Sequence, residues 1–154
     1  MKPFIYLFLF MALTACVNRP IGQFYSHLPY ERWRKADTLE LPVVVDSITY
    51  ARAKAGTMWE LWIDIRHTNA YPYSNLVMEL LSSQQDTTVH LSLTNKRGTW
   101  AGHGLGYLYQ SSHYISTFRS DTTRVDTLRY RLISSMPDSV LEGIHDIGIR
   151  LLAQ

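Results

Sequence analysis

Trp59-Glu60-Leu61-Trp62-Ile63-Asp64-Ile65-Arg66 decides the fold class. Trp59, Leu61, Ile63 and Ile65 point one way along it, and Glu60, Trp62, Asp64 and Arg66 point the other. A period of two with one apolar face belongs to a β-strand packed on a core on one side and wet on the other. An amphipathic helix would instead repeat its apolar residues at steps of three and four.

The same alternation recurs on both sides of this stretch. Leu76, Met78 and Leu80 alternate with Val77, Glu79 and Leu81, and Val89, Leu91 and Leu93 with His90, Ser92 and Thr94. Leu128, Tyr130 and Leu132 alternate with Arg129 and Arg131, and Ile147, Ile149 and Leu151 with Gly148 and Arg150. Turn chemistry separates the runs at Asn69 to Pro72, Ser82 to Asp86, Asn95-Lys96-Arg97-Gly98 and Ser120-Asp121. Fainter strand patterns lie at Thr38 to Leu41, Val43 to Tyr50, Leu105 to Tyr109 and Tyr114 to Arg119. One helical turn is expected, over Pro137 to Glu142 with Asp138 or Ser139 as its cap. Together these predict an all-β fold: an antiparallel β-sandwich of jelly-roll or Greek-key type, with eight or nine short strands. Residues 31–154 are assigned to this single domain.

The N-terminus carries a different signal. Met1-Lys2-Pro3 supplies one positive charge, and Phe4 to Leu13 form an apolar run of about ten residues, the size of a secretory signal core and too short to cross a bilayer. The run ends Leu13-Thr14-Ala15-Cys16, small residues before the chain's one cysteine. That arrangement reads as a lipoprotein signal, residues 1–15, cleaved between Ala15 and Cys16 after diacylglycerol transfer to the thiol. Buried acyl chains contribute about 0.8 kcal/mol per CH₂, so a multiply acylated Cys16 is a firm anchor. Residues 16–30, with Pro20, Gly22 and Pro29 and no clean period, read as the lipidated N-terminus and a tether docking through Phe24 and Tyr25.

Removing residues 1–15 from 154 leaves 139, enough for one domain with a substantial core. With the thiol acylated no disulfide forms, and packing alone must hold the domain in an oxidising compartment. Processing also removes Lys2, so 15 Lys and Arg become 14 against 13 acidic residues. This near balance and the lack of a Lys/Arg cluster argue against a nucleic-acid partner. Ten tyrosines and 4 tryptophans favour strands.

No pattern of catalytic residues emerges. Gly102-His103-Gly104-Leu105-Gly106 is spaced GxGxG with no βαβ unit around it, which fits strand corners better than a phosphate loop. His27, His67, His90, His103, His113 and His145 match no HxH, HxxxH or HExxH pattern, although His103 and His113 can approach from neighbouring strands and Asp146 adjoins His145. There is no GxSxG, and the one thiol is committed to lipid. Glu60, Asp64 and Glu79 are the acids available for a glycosidase-like pair, and Trp62, Tyr107, Tyr109 and Tyr114 are the rings available for stacking on sugar. Solvated strand faces and core filling are the simpler readings of both sets. No metal, cofactor or small-molecule ligand is assigned, and the protein is expected not to be an enzyme.

Four strings in order carry a resemblance. They are Trp33-Arg34-Lys35-Ala36-Asp37-Thr38 leading to Leu41-Pro42; Leu61 to Arg66 followed by Asn69-Ala70-Tyr71-Pro72-Tyr73-Ser74-Asn75-Leu76; Gly98-Thr99-Trp100-Ala101-Gly102-His103-Gly104-Leu105-Gly106; and Gly143-Ile144-His145-Asp146-Ile147-Gly148-Ile149-Arg150. Behind a lipobox, they resemble the gliding-motility lipoprotein GldH family of Bacteroidota, from about Trp33 to Arg150. The motif positions Tyr71, Pro72, Ser74, Asn75, Gly98, Trp100, Gly102, Gly104, Gly106, Asp146 and Gly148 are expected to be structural, with Trp100 plugging one end of the sandwich. The resemblance implies a lipid-anchored accessory of the gliding-motility or surface-protein secretion machinery, working by contact with other envelope proteins. The alternative is a glycan-binding or glycan-processing lipoprotein. Val17 and Asn18 after Cys16 form no acidic export run, so the expected location is the outer membrane, facing the periplasm.

Overall fold

The computed structural model describes residues 19–45, 56–119 and 127–154. Cys16 and the signal, the second half of the Val43 to Tyr50 pattern and the Ser120-Asp121 turn lie outside the described residues. Eleven strands are present among the described residues: β1 Gly22–His27, β2 Arg32–Arg34, β3 Leu39–Val44, β4 Met58–Thr68, β5 Asn75–Ser82, β6 Asp86–Ser92, β7 His103–Leu105, β8 Leu108–Arg119, β9 Thr127–Ser134, β10 Val140–Glu142 and β11 Ile144–Ala153. Three of them, β2, β7 and β10, are only three residues long.

One sheet has the order β1-β11-β4-β8-β7, the other β3-β9-β5-β6, and β10-β2 form a small ribbon. Every pairing is antiparallel. Read through its eight longer strands, the chain crosses from sheet to sheet and returns so that first and last strands are neighbours. That winding is a jelly roll. The apolar halves of the alternating strands meet between the sheets. Trp59, Leu61, Ile63 and Ile65 of β4 are buried, as are Leu76, Met78 and Leu80 of β5, Tyr130 and Leu132 of β9, and Ile147, Ile149 and Leu151 of β11. Each aliphatic chain so buried contributes about 1.5–3 kcal/mol relative to exposure.

Three expectations need correction. Gly22–His27 is not tether: it is β1, hydrogen-bonded along β11 from Gly22↔Leu151 to His27↔Asp146. Phe24 packs on the core, but Gly22, Ser26 and His27 dilute the apolar alternation of an edge strand. Residues 105–119 are not two separate strands but the end of β7, a turn, and the unbroken β8, whose polar centre Gln110-Ser111-Ser112-His113 hides its period. Pro137 to Glu142 form a bend and then β10, not a helical turn. Leu141 is buried opposite Trp33 of β2, and that pairing wins over a weak capping signal. The Asp138 carboxylate accepts from the Tyr73 hydroxyl instead of capping, at 2.8 Å.

Candidate functional site

The wet face of the five-stranded sheet holds three rows of side chains, each running straight across four strands. The register aligns Gln23, Arg150, Trp62 and Tyr114; then Tyr25, Gly148, Asp64 and Ser112; then His27, Asp146, Arg66 and Gln110. The middle row turns on Gly148. A Cβ there would collide with the Tyr25 ring, so the missing side chain is what lets Tyr25 lie across β11 and reach Asp64.

Asp64 is thereby buried, only 1% exposed, although the alternation puts it on the outer face. Its Oδ2 accepts from the Tyr25 hydroxyl at 2.6 Å and from Arg150 Nε at 2.5 Å, and its Oδ1 accepts from Arg150 Nη2 at 2.9 Å. Burial alone would raise the Asp64 pKa, but the donors from Arg150, Ser112 and Tyr25 outweigh it and hold the carboxyl below its usual range. Tyr25 moves the other way. Burial, helped by its bond to Asp64, pushes the phenol up to about 12. Arg66 lies over the Tyr25 ring at 5.3 Å, and Arg150 over Trp62 at 6.0 Å. A carboxylate taken by a bidentate guanidinium and a phenol is a structural anion, unavailable as a general base.

The other acids considered for catalysis do not converge on it. Glu60 lies on β4 but accepts from Trp62 Nε1 at 2.9 Å and Gln154 Nε2 at 2.8 Å, and Glu79 is exposed on β5 in the opposite sheet. The four candidate stacking rings do not form one row either. Trp62 and Tyr114 meet edge to face at 5.7 Å, Tyr107 is exposed in the β7–β8 turn, and Tyr109 stacks on His67 at 5.7 Å.

In the third row, Asp146 Oδ2 accepts from Arg66 Nη1 at 3.2 Å and faces His145 Nδ1 at 3.0 Å. His145 sits in a β-bulge between Ile144 and Asp146, and its ring meets that of His27 edge to face at 4.7 Å. His103 is exposed on β7, and His113 pairs with the Ser111 hydroxyl at 2.9 Å.

Two of the family strings, Asn69 to Leu76 and Gly98 to Gly106, meet around His67, whose ring lies 5.9 Å from that of Tyr71 and 4.5 Å from that of Trp100. Tyr71 is buried and donates to the Asn75 carbonyl at 2.8 Å, bracing the loop that contains the exposed Pro72 and Ser74. Trp100, half-buried, meets His67 edge to face at 4.5 Å and donates from Nε1 to Asn69 Oδ1 at 3.0 Å. His67 is fully buried, and burial is the main reason its pKa is lowered. Gly102 adopts φ +86° with its backbone pressed on the Gln110 carbonyl, a place no side chain can occupy. Gly98 and Gly106 lie in turns, and Gly104 opposes Tyr109 in β7.

The Asp64 network is what sequence reasoning missed, since Tyr25 was given to the tether and Arg150 to solvent. One signal was available: a glycine inside the strong alternation of β11 marks a place where a neighbour needs room. Away from this face, a shallow cleft of about 590 Å³ lies on the second sheet between Glu40, Asp86, Arg129 and Arg131.

Residues 21–151 match the family model described as GldH lipoprotein. The gliding motility lipoprotein GldH homolog of Christiangramia forsetii is 24% identical over 159 residues, covering 96% of this chain and 93% of its own. Among solved structures, PRD1 vertex protein P5 gives a TM-score of 0.45 at 8% identity, over 88% of this chain and 98% of its own. Dimeric latent PorU from Porphyromonas gingivalis gives 0.38 at 11% identity, over 92% of this chain and 14% of its own.

Proposed function

The chain belongs to the GldH lipoprotein family, and from that membership we propose that it is an envelope lipoprotein, anchored through Cys16, that serves gliding motility or surface-protein secretion as a non-enzymatic accessory. The match across residues 21–151 carries the proposal, and the name of the Christiangramia relative supports the link to motility. The wet sheet face supports contact over catalysis, because its best-placed carboxylate, Asp64, is spent on Arg150 and Tyr25.

The strand β1 changes the picture of the anchor. Between Cys16 and Gly22 lie only Val17 to Ile21, five residues that span roughly 17 Å when fully extended. With so short a spacer an anchored sandwich sits close to the bilayer, and the lack of an acidic run at Val17 and Asn18 favours the periplasmic face of the outer membrane. Site-specific crosslinking from Tyr114 in intact cells tests the reading. It should trap envelope proteins of the gliding or secretion machinery. Adducts to glycan alone would favour the sugar-binding alternative, for which the Trp62–Tyr114 pair beside Arg150 is the supporting observation.

A further inference from the structure

We propose that His27, His145 and Asp146 form a binding site for a divalent cation of the imidazole-seeking class, with zinc as its type. Two neighbouring strands build it. Register places His27 of β1 opposite Asp146 of β11, while ordinary alternation would turn the adjacent His145 to the other face. The bulge between Ile144 and Asp146 breaks that alternation. One ligand atom from each of the three residues then lies within 4.8 Å of the others.

The second observation is the state of the carboxylate. The Asp146 side chain is 7% exposed, and its Oδ1 has no hydrogen-bond partner among the described residues. A buried carboxylate oxygen left without a donor is costly, and a cation held by Oδ1 removes that cost. The 3.0 Å between His145 Nδ1 and Asp146 Oδ2 is a hydrogen bond, and two ligands on one tetrahedral ion at about 2.0–2.2 Å lie about 3.3–3.6 Å apart, so binding exchanges that bond for the ion with a small shift of the ring. Two imidazoles and one carboxylate select zinc, copper or nickel over magnesium or calcium, and leave a fourth position for water.

Arg66 opposes the site electrostatically, since its Nη1 lies 3.2 Å from the same Oδ2. It need not stay there. Its Nε keeps Gln110 Oε1 at 3.0 Å and its guanidinium keeps the Tyr25 ring, so it can release Asp146 without losing every partner. The ion would clamp the edge strand β1 to β11 against the repulsion from Arg66.

The test uses the full chain extracted in detergent, stripped with a chelator and titrated with zinc alone by calorimetry. One ion should bind per chain and raise the melting temperature. His27→Ala and His145→Ala, at an exposed and a half-buried position, should each weaken binding by about 10-fold or more. His90→Ala, exposed on β6 in the other sheet, should not. Asp146→Asn should bind as poorly as the histidine variants; if it does not fold, the two alanine variants decide. Zinc that does not saturate, or that binds either alanine variant as well as the parent, overturns the site.

Discussion

Arg150 is the residue on which the wet face of the first sheet depends. Its side chain is 23% exposed while that of Asp64 is 1% exposed, so removing it strands a carboxylate rather than breaking a surface pair. Arg150→Met should cost roughly 3 kcal/mol, the low end for an interrupted buried pair because the guanidinium is partly solvated. The pH profile gives the sign. The lowered folded pKa of Asp64 stabilises the parent above about pH 4, the ordinary carboxyl range, and that contribution is lost as pH falls through the folded value. In Arg150→Met the same buried acid prefers its proton, so the variant should approach the parent in acid. Urea unfolding midpoints across the acid range check this, and a constant gap at all pH values would contradict it. Gly148→Val makes the complementary point. Its side chain would occupy the space of the Tyr25 ring, and a cost of about 1–3 kcal/mol is expected from overpacking, with loss of the Tyr25–Asp64 bond. A tyrosine titrating lower than the roughly pH 12 of the parent would report that loss spectroscopically.

At the scale of elements, β1 and the Trp100 loop carry the informative cases. A chain beginning at Glu31 lacks β1, which exposes the hydrogen-bonding edge of β11 and the core patch beneath Phe24. It should aggregate or unfold, whereas a chain beginning at Arg19 should fold; size-exclusion and far-UV dichroism compare them. Truncating a fully buried tryptophan to alanine costs about 3–5 kcal/mol. Trp100 is half-buried, resting on His67 and Tyr109 and bonded to Asn69. Trp100→Ala should therefore cost about 2–3 kcal/mol, below the fully buried range. A thermal melt no different from the parent would remove Trp100 from the packing altogether.

For the whole molecule the proposed anchor rests on one sulfur, that of Cys16. Cys16→Ala should leave the chain unprocessed or soluble, and continued membrane partitioning after full cleavage would place the anchor elsewhere. Protease added to intact cells should spare the domain, and its loss without lysis would move it to the outer surface. With a single cysteine in the chain, no internal disulfide is available to reinforce the sandwich, so its stability rests on the core between the two sheets.

Sequence alone determined the strand class and which residues face inward, because side chains alternate along any extended backbone whatever it pairs with. Thus Trp59, Leu61, Ile63 and Ile65 were legible as core. Pairing partners are chosen only when strands distant in sequence meet. That is why Gly22–His27 hid as a tether and why Asp64 looked solvated: Tyr25, Arg150 and Gly148 reach it only through the register of β1 on β11 and of β11 on β4. Burial of a polar group on an outer face is set by its neighbours across the sheet, and only the tertiary structure names them.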